Sequence, residues 1–328
     1  MAYLRGVSES VRHRSLTIMA LAAVLITMVC VPRAAAQDRT EVVVNDAREY
    51  PESVTSSRDG AVFFGSLEKG IIYRAAPGAS RAQPWVQPAA ASLQTVLGVL
   101  ADDGAGTLWV CSSAPVAPGA TPPPVRDSSL KALDLRSGAL KGSYPFPGGG
   151  VCNDIAVAPD GTAYATDTMA GRVLRLRRGA QALAVWSTDK LLASADGLAL
   201  LADGALYVNT VQTGTLVRIP VNRDGSAGQA AKLATSRPLV RPDGMRSVNG
   251  MILLLAEGDG RLDEVTINGD AARVNVLKEG LAGPTAVTLV GDTAFVLEAK
   301  LNFRNDPNLR DQDPGPFRAV AVPYRASK

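Results

Sequence analysis

The chain has 328 residues and a formal net charge of +3. Four arginines and one glutamate lie in the first 36 residues, so the remainder has 30 basic and 30 acidic residues. A chain balanced in this way has no bulk electrostatic attraction for nucleic acid or for anionic lipid. We therefore expect no nucleic-acid partner and no charge-driven binding to membranes.

The only histidine, His13, lies in the same N-terminal segment. Once that segment is removed, Ser-His-Asp and Cys-His mechanisms are excluded, and so is zinc held by histidine. Any acid–base chemistry must then use carboxylates, lysine, tyrosine, cysteine or water bound to a metal.

Residues 1–36 are typical of a cleaved signal peptide. Three arginines precede an apolar run at 16–31, and a small-residue Ala-x-Ala site follows at 34–36. The run is short for a membrane span, and an uncleaved anchor is the alternative. We expect a periplasmic or secreted protein with no membrane association after cleavage.

Two cysteines, Cys111 and Cys152, follow the predicted leader. Export permits a disulfide between them, but a bridge also requires that their Cα atoms lie close together, which the sequence does not show. A disulfide and two buried free thiols therefore both remain open.

From about residue 50 onward, one unit recurs along the chain. It consists of a polar turn with a glycine, a strand of alternating apolar residues, and often a second glycine turn and strand. The glycines that mark the six copies are separated by 41 to 55 residues: Gly60, Gly106, Gly161, Gly204, Gly250 and Gly291. Repeats of this length with several short strands each predict an all-β fold, a six-bladed β-propeller with a central channel. A parallel β-helix, whose repeats are shorter, is the rival architecture.

The whole stretch 37–328 is expected to form this single domain. Residues 114–125 are rich in proline and predict a surface insertion in the longest repeat. A propeller closes its ring by joining the chain ends in one blade, and residues 41–44 and 318–324 are the predicted closing strands.

Four copies have a polar residue where the innermost strand of the blade should begin. In a propeller these strand starts converge at one mouth of the central channel. Each polar residue precedes its marker glycine by seven or eight positions: Glu52, Asn153, Asp196 and Asp243. Three carboxylates and one amide oxygen suit a hard cation, Ca²⁺ first and then Mg²⁺, and they tolerate Mn²⁺ or Zn²⁺. The sequence thus predicts one divalent metal ion.

The alternative is that these residues belong to turns. Asp-Gly is a common turn dipeptide, so Asp196-Gly197 and Asp243-Gly244 could be turns and Asn153 a turn cap. All four residues lie at nearly the same distance before the marker glycine of their own repeat, and this regularity favours the metal site.

The segments around these residues resemble the senescence marker protein (regucalcin)/gluconolactonase family, over about residues 50–301. The matching pieces are "PESV" with Glu52, "CNDIAVAPDGTAYA" with Asn153, "DGLAL" with Asp196 and "PDGM" with Asp243. The resemblance implies a six-bladed propeller with one divalent metal at the channel mouth. It also implies metal ligands at Glu52, Asn153 and Asp243, a further metal- or water-linked position at Asp196, and Asp243 as the catalytic base.

The sequence departs from this family at two positions. Asp196 stands where the family usually has asparagine, which adds a negative charge. Val151 stands where lactonases of the family often have an arginine that holds a sugar acid. The second departure argues against an aldonolactone and for a less polar substrate. The substrate-binding residues themselves are not identified.

Three functions are compatible with these observations. The first is an exported metal-dependent hydrolase resembling gluconolactonases, which opens a lactone or an ester with metal-activated water. The second is a non-catalytic propeller that binds a small ligand, similar to the royal jelly and yellow proteins. The third, a protein-binding scaffold, leaves the four phased residues unexplained. The partner in the first two is a small molecule, and the oligomeric state is not indicated.

Three further features are candidates for a role at the channel. Asn209 and Glu298 lie later in their repeats. They are candidates to line the channel, and the alternative is that they are solvated, as polar residues at strand ends usually are. The polar, proline-rich segment 302–317 predicts either a lid over the channel mouth or a plain surface loop.

Overall fold

The computed structural model describes residues 39–115 and 126–325. The predicted signal peptide and most of the predicted insertion at 114–125 lie outside these residues, so both stay predictions. The described chain confirms the all-β fold, a six-bladed propeller. Within the described ranges, no helix has the length and apolar character needed to cross a membrane.

Each blade is a small antiparallel sheet whose first strand lies innermost, next to the channel. The first strand of the chain and the first two blades comprise β1 (Glu41–Val44), β2 (Pro51–Ser56), β3 (Val62–Ser66), β4 (Ile72–Ala75), β5 (Arg81–Val86), β6 (Thr95–Asp102), β7 (Thr107–Ser113), β8 (Ser128–Asp134) and β9 (Leu140–Pro145). A single helical turn, α1 (Pro88–Ala91), connects these two blades.

The third and fourth blades follow the same order. They comprise β10 (Cys152–Val157), β11 (Ala163–Asp167), β12 (Arg172–Leu176), β13 (Ala184–Ser187), β14 (Ala195–Leu200), β15 (Ala205–Thr210), β16 (Thr215–Pro220) and β17 (Ala231–Lys232). A 3₁₀ turn at Lys190–Leu192 precedes the fourth blade.

The last two blades complete the ring. They comprise β18 (Ala234–Thr235), β19 (Pro242–Val248), β20 (Ile252–Glu257), β21 (Arg261–Asn268), β22 (Ala271–Lys278), β23 (Pro284–Val290), β24 (Thr293–Glu298), α2 (Asn302–Asn305) and β25 (Phe317–Pro323). The short β18 pairs in parallel with β22 at the outer edge of the fifth blade.

The ring closes as the sequence predicted. β1 pairs antiparallel with β25, with Glu41 opposite Val320, so the sixth blade has the order β23-β24-β25-β1. β1 also pairs in parallel with β5 through Val43 and Arg81, and this contact joins the outer edges of the first and sixth blades.

Burial explains why the strands differ in composition across a blade. Inner strands such as β2 and β10 are buried on both faces because they pack between neighbouring blades and the channel, whereas the outermost β9 is largely exposed. Apolar side chains from adjacent blades form the core; one cluster joins Tyr164 and Trp186 of the third blade to Val208 of the fourth.

A disulfide links Cys111 in β7 to Cys152 in β10, with the Cα atoms 5.0 Å apart. This answers the question that the sequence left open. It also means that Cys152, directly before Asn153, is not a free thiol in this structure.

Candidate metal centre

The four predicted ligands occupy one recurring structural position. The pairing of each inner strand with its neighbour is interrupted just after the strand begins, between Pro51 and Ser53 in β2 and between Cys152 and Ile155 in β10. The same interruption occurs in β14 and β19. Such β-bulges re-aim side chains, and the residues inside them include Glu52, Asn153, Asp196 and Asp243.

Three of these side chains converge closely. One carboxylate oxygen each from Glu52, Asp196 and Asp243 lies within 4.8 Å of the others. Oxygens that ligate Ca²⁺ lie about 2.3–2.6 Å from it, so two ligands of one ion are separated by at most about 5 Å. The spacing of the three carboxylates therefore fits a single hard cation.

Asn153 is joined directly to this cluster. Its amide nitrogen donates hydrogen bonds to Asp196 Oδ2 at 3.1 Å and to Thr168 Oγ1 at 2.9 Å. With the nitrogen used in this way, its carbonyl oxygen is the atom left to act as a ligand. The structure thus brings all four predicted residues together.

The two Asp-Gly pairs are not turns. Both lie in bulges within strands, and the glycines are needed for close packing between blades. A Cβ atom on Gly197 would lie 2.3 Å from the carbonyl oxygen of Asp243, and one on Gly244 would lie 2.7 Å from that of Thr285. The turn interpretation of these dipeptides was therefore wrong.

Side chains from neighbouring strands hold the bulges in place. Thr166 Oγ1 donates to the carbonyl oxygen of Asp196 at 2.6 Å, and Thr285 Oγ1 donates to that of Glu52 at 2.6 Å. Asn209 accepts a hydrogen bond from the Gly197 N–H and donates one to the carbonyl oxygen of Asp243. Asn209 therefore positions two bulges from behind and is not itself a member of the cluster.

The cluster is electrostatically strained. Burial, and then the charge of nearby Asp154, raises the pKa of Asp196 to about 7. Burial and the neighbouring carboxylates hold the pKa values of Glu52 and Asp243 well above their usual range. In addition, Asp196 Oδ1 is buried without a hydrogen-bond partner among the described residues. A divalent cation would relieve each of these costs.

Buried acids elsewhere in the described chain differ from the cluster, since each of them forms an ion pair with a basic side chain. These pairs are Glu49–Lys69, Asp154–Arg246, Asp167–Arg172, Glu257 with Arg237 and Arg261, Asp263–Arg237, and Glu298–Arg318. Glu298 is accordingly part of a structural pair and not of the candidate site.

An ion pair deeper in the channel, between Arg246 and Asp154, was not predicted from the sequence. Arg246 lies three residues beyond Asp243 in β19, after the bulge. Its guanidinium donates to both oxygens of Asp154, at 3.1 and 2.9 Å, and to the carbonyl oxygen of Val99 at 3.2 Å. The bridge joins the fifth, third and second blades. No local pattern could have indicated it, because Asp154 and Arg246 are 92 residues apart.

A cavity of about 930 Å³ lies at the mouth beside Asp243. The segment that the sequence predicted as a lid or a loop forms one wall of it, through Asn302 and Phe303. Arg304 of α2 pairs with Glu68 of the first blade, and Lys300 donates to the carbonyl oxygens of Pro314 and Pro316. This ion pair and these hydrogen bonds hold the segment in place beside the mouth of the channel.

Comparison with known proteins supports the architecture. No protein-family model and no curated protein matches the sequence. Among solved structures, a gluconolactonase from Xanthomonas campestris is similar, with 16% identity, coverage of 84% of this chain and 88% of that one, and a TM-score of 0.59. A luciferin-regenerating enzyme gives 14% identity, 88% and 98% coverage and a TM-score of 0.60. Virginiamycin B lyase from Staphylococcus aureus gives 13% identity, 86% and 98% coverage and a TM-score of 0.57.

At these identities the likeness is one of fold. It confirms the expected gluconolactonase-type propeller as an architecture. The metal, the substrate and the roles of the four site residues stay predictions.

Proposed function

We propose that this protein is an exported, metal-dependent hydrolase that opens a lactone or an ester at the mouth of the propeller channel. The observation that carries the proposal is the cluster of Glu52, Asp196 and Asp243, whose carboxylate oxygens lie within 4.8 Å of one another with no lysine or arginine paired to them in the described chain. Ca²⁺ is the ion best suited to this all-oxygen set.

Glu52, Asn153, Asp196 and Asp243 would hold the cation. When bound, such an ion polarises a carbonyl group and lowers the pKa of water. Asp243 has the further role of general base, because it is the least buried of the three acids and lines the mouth cavity. Its Oδ1 accepts the Gly244 N–H at 3.0 Å, which leaves Oδ2 to take a proton from water.

Export is supported by two independent features. The N-terminal segment is typical of a signal peptide, and the Cys111–Cys152 disulfide is the kind of bond that persists in oxidising compartments such as the periplasm.

A hydrolase is favoured over a lyase by the histidine content. A variant of the similar virginiamycin B lyase in which histidine is replaced by alanine is catalytically inactive. The present chain has only His13, in the predicted leader. A carboxylate-based mechanism requires no histidine.

Two measurements on chelator-treated protein test the proposal. Calorimetric titration with Ca²⁺, Mg²⁺, Mn²⁺ and Zn²⁺ should detect one site per chain. Proton release from a panel of lactones and esters should then depend on the added ion. Asp243→Asn should lower kcat by 10²-fold or more, as expected for loss of a general base. The matched control is Asp259→Asn, which alters another acid of the same cavity outside the cluster.

The outcomes separate the competing functions. Folded protein that binds no divalent ion refutes the metal centre. Protein that binds an ion but hydrolyses no member of the panel supports the non-catalytic ligand-binding propeller instead.

A further inference from the structure

The channel has a second cavity at its other end, which the proposed function does not use. This lower cavity has a volume of about 740 Å³ and is lined by the later parts of the inner strands, such as 100–102, 155–157 and 198–200. The ligands of the candidate metal centre lie at the beginnings of such strands. Arg246, which forms the bridge with Asp154, belongs to the lining of the lower cavity, and the lower cavity shares no lining residue with the cavity at the mouth.

The walls of the lower cavity suit an apolar ring. Leu100, Val157 and Leu200 are partly exposed and line it from three different blades. Trp109 and Tyr144 add a pair of aromatic rings with centroids 6.4 Å apart. The volume is within the range of about 300–1,000 Å³ that is usual for small-molecule sites.

The polar groups that lack partners in this cavity are all hydrogen-bond donors. Trp109 is only 8% exposed, and its indole N–H is buried without an acceptor in the described structure. The Nε–H of Arg246 is buried without an acceptor as well. A buried donor without a partner carries a free-energy cost of about 1–3 kcal/mol. A ligand oxygen that displaces the side chains covering the donor would remove this cost.

The rim of the lower cavity supplies positive charge. Arg58 and Arg178 are exposed there, and neither forms an ion pair within residues 39–115 and 126–325. Two acids, Asp102 and Asp103, line the same rim and accept backbone N–H groups, but they keep their negative charges. They are outnumbered by three arginines of the lining, because Arg177 is exposed there beside Arg58 and Arg178. The cavity therefore offers donors and cations to an incoming oxygen anion.

We propose that the lower cavity is a second ligand site, distinct from the metal centre, that binds a small carboxylate with an apolar ring. The ring lies against Trp109 and the aliphatic wall, and the carboxylate meets the unpaired donors and the rim arginines. This site does not depend on the proposed hydrolase activity.

The test uses 2-naphthoate as the probe and chelator-treated full-length protein, so that binding through a metal is removed. Isothermal titration calorimetry should show one 2-naphthoate per chain, with a change in tryptophan fluorescence. Trp109→Phe keeps an aromatic ring but removes the N–H, and the double variant Arg58→Ala/Arg178→Ala removes two positive charges of the rim. Each should weaken binding at least tenfold, and neutral 2-acetylnaphthalene should bind at least tenfold more weakly than 2-naphthoate.

Two control variants locate the site. Asp243→Asn alters the opposite end of the channel, and Arg136→Ala removes an exposed arginine outside the lower cavity; both should bind 2-naphthoate within twofold of the wild type. The proposal is overturned if folded wild-type protein does not bind the probe, if Asp243→Asn abolishes binding, or if the double arginine variant, with an unchanged melting temperature, binds as tightly as the wild type.

Discussion

Two groups of buried acids in this propeller differ in whether a basic side chain pairs with them. The loop acids, Asp167, Glu257 and Glu298, each end the second strand of a blade and pair with an arginine of the same blade. The mouth acids, Glu52, Asp196 and Asp243, begin first strands and have no such arginine in the described chain.

The difference shows which charges the fold neutralises by itself. A buried carboxylate without a partner is costly, so acids that serve the architecture receive a cation from their own blade. The mouth acids are equally buried, or nearly so, but no basic side chain in the described part of the chain pairs with them. They lie instead in β-bulges, which hydrogen bonds from threonine side chains hold in place and which the adjacent glycines allow to pack closely. This is the pattern expected where the counter-charge comes from outside the chain.

The largest loss of stability is expected when the ion pair of a loop acid is broken. Arg172→Met leaves Asp167, which is fully buried, without its cation and also removes donors to the carbonyl oxygens of Pro147 and Gly149. The free energy of unfolding should fall by about 3–5 kcal/mol, measured by urea denaturation. Adding Asp167→Asn to this variant should restore part of the loss; no restoration would argue that the charge of Asp167 is unimportant.

The second-largest difference between the mouth acids and the loop acids should be in how stability depends on pH. The pKa of Asp196 in the folded chain, about 7, is above its value of about 3.9 in an unfolded chain. The folded state therefore binds this proton more tightly, and the stabilisation, complete below pH 4, is lost as the pH rises through 7. For metal-free protein we expect a fall of up to about 1.4 kcal/mol per pH unit from this group between pH 5 and 7.

Saturating Ca²⁺ should abolish that part of the slope. Burial and the charge of Glu257 also raise the pKa of Asp263, to about 6, but its contribution should not respond to Ca²⁺. Urea denaturation at pH 5, 6, 7 and 8, with and without Ca²⁺, isolates the mouth acids. Parallel curves in the two conditions would mean that they hold no ion.

Replacing a carboxylate by the isosteric amide should change the stability by a smaller amount, and the sign should be opposite for the mouth acids and the loop acids. Glu52→Gln relieves repulsion among the mouth acids and should raise the stability of metal-free protein at pH 8 by about 1 kcal/mol. Glu298→Gln breaks the pair with Arg318 and should lower it. Thermal denaturation of both variants checks the signs, and a loss of stability in Glu52→Gln would contradict the comparison.

The smallest effect should come from an exposed pair. Arg304→Ala removes the contact between α2 and Glu68, whose side chains are 29% and 40% exposed. Such surface pairs contribute about 0.2–1 kcal/mol, so the melting temperature should hardly change. A loss as large as that of Arg172→Met would show that exposure does not distinguish the ion pairs here.

The sequence was sufficient for the features that repeat. The marker glycines fixed six blades, and the common phase of Glu52, Asn153, Asp196 and Asp243 found residues that the structure places in equivalent bulges. A loop pair such as Asp167 and Arg172 could also have been found, because the two residues are close in the chain. The Arg246–Asp154 bridge could not, since its partners meet only across a closed ring. The bulges themselves, which distinguish a site aspartate from a turn aspartate, depend on strand pairing that no single repeat reveals.

The closure of the ring by β1 has a consequence for how the chain folds. Val44 pairs with Phe317, 273 residues later, so the first strand has no antiparallel partner until nearly all of the chain is available. Contacts of such long range slow folding. During that interval β1 has only its short parallel pairing with β5. Its other edge, in a segment of high β-propensity, stays open and is the kind of edge that seeds aggregation. The rate at which the last strand arrives should therefore govern the yield of folded protein more strongly than the stability of any single blade.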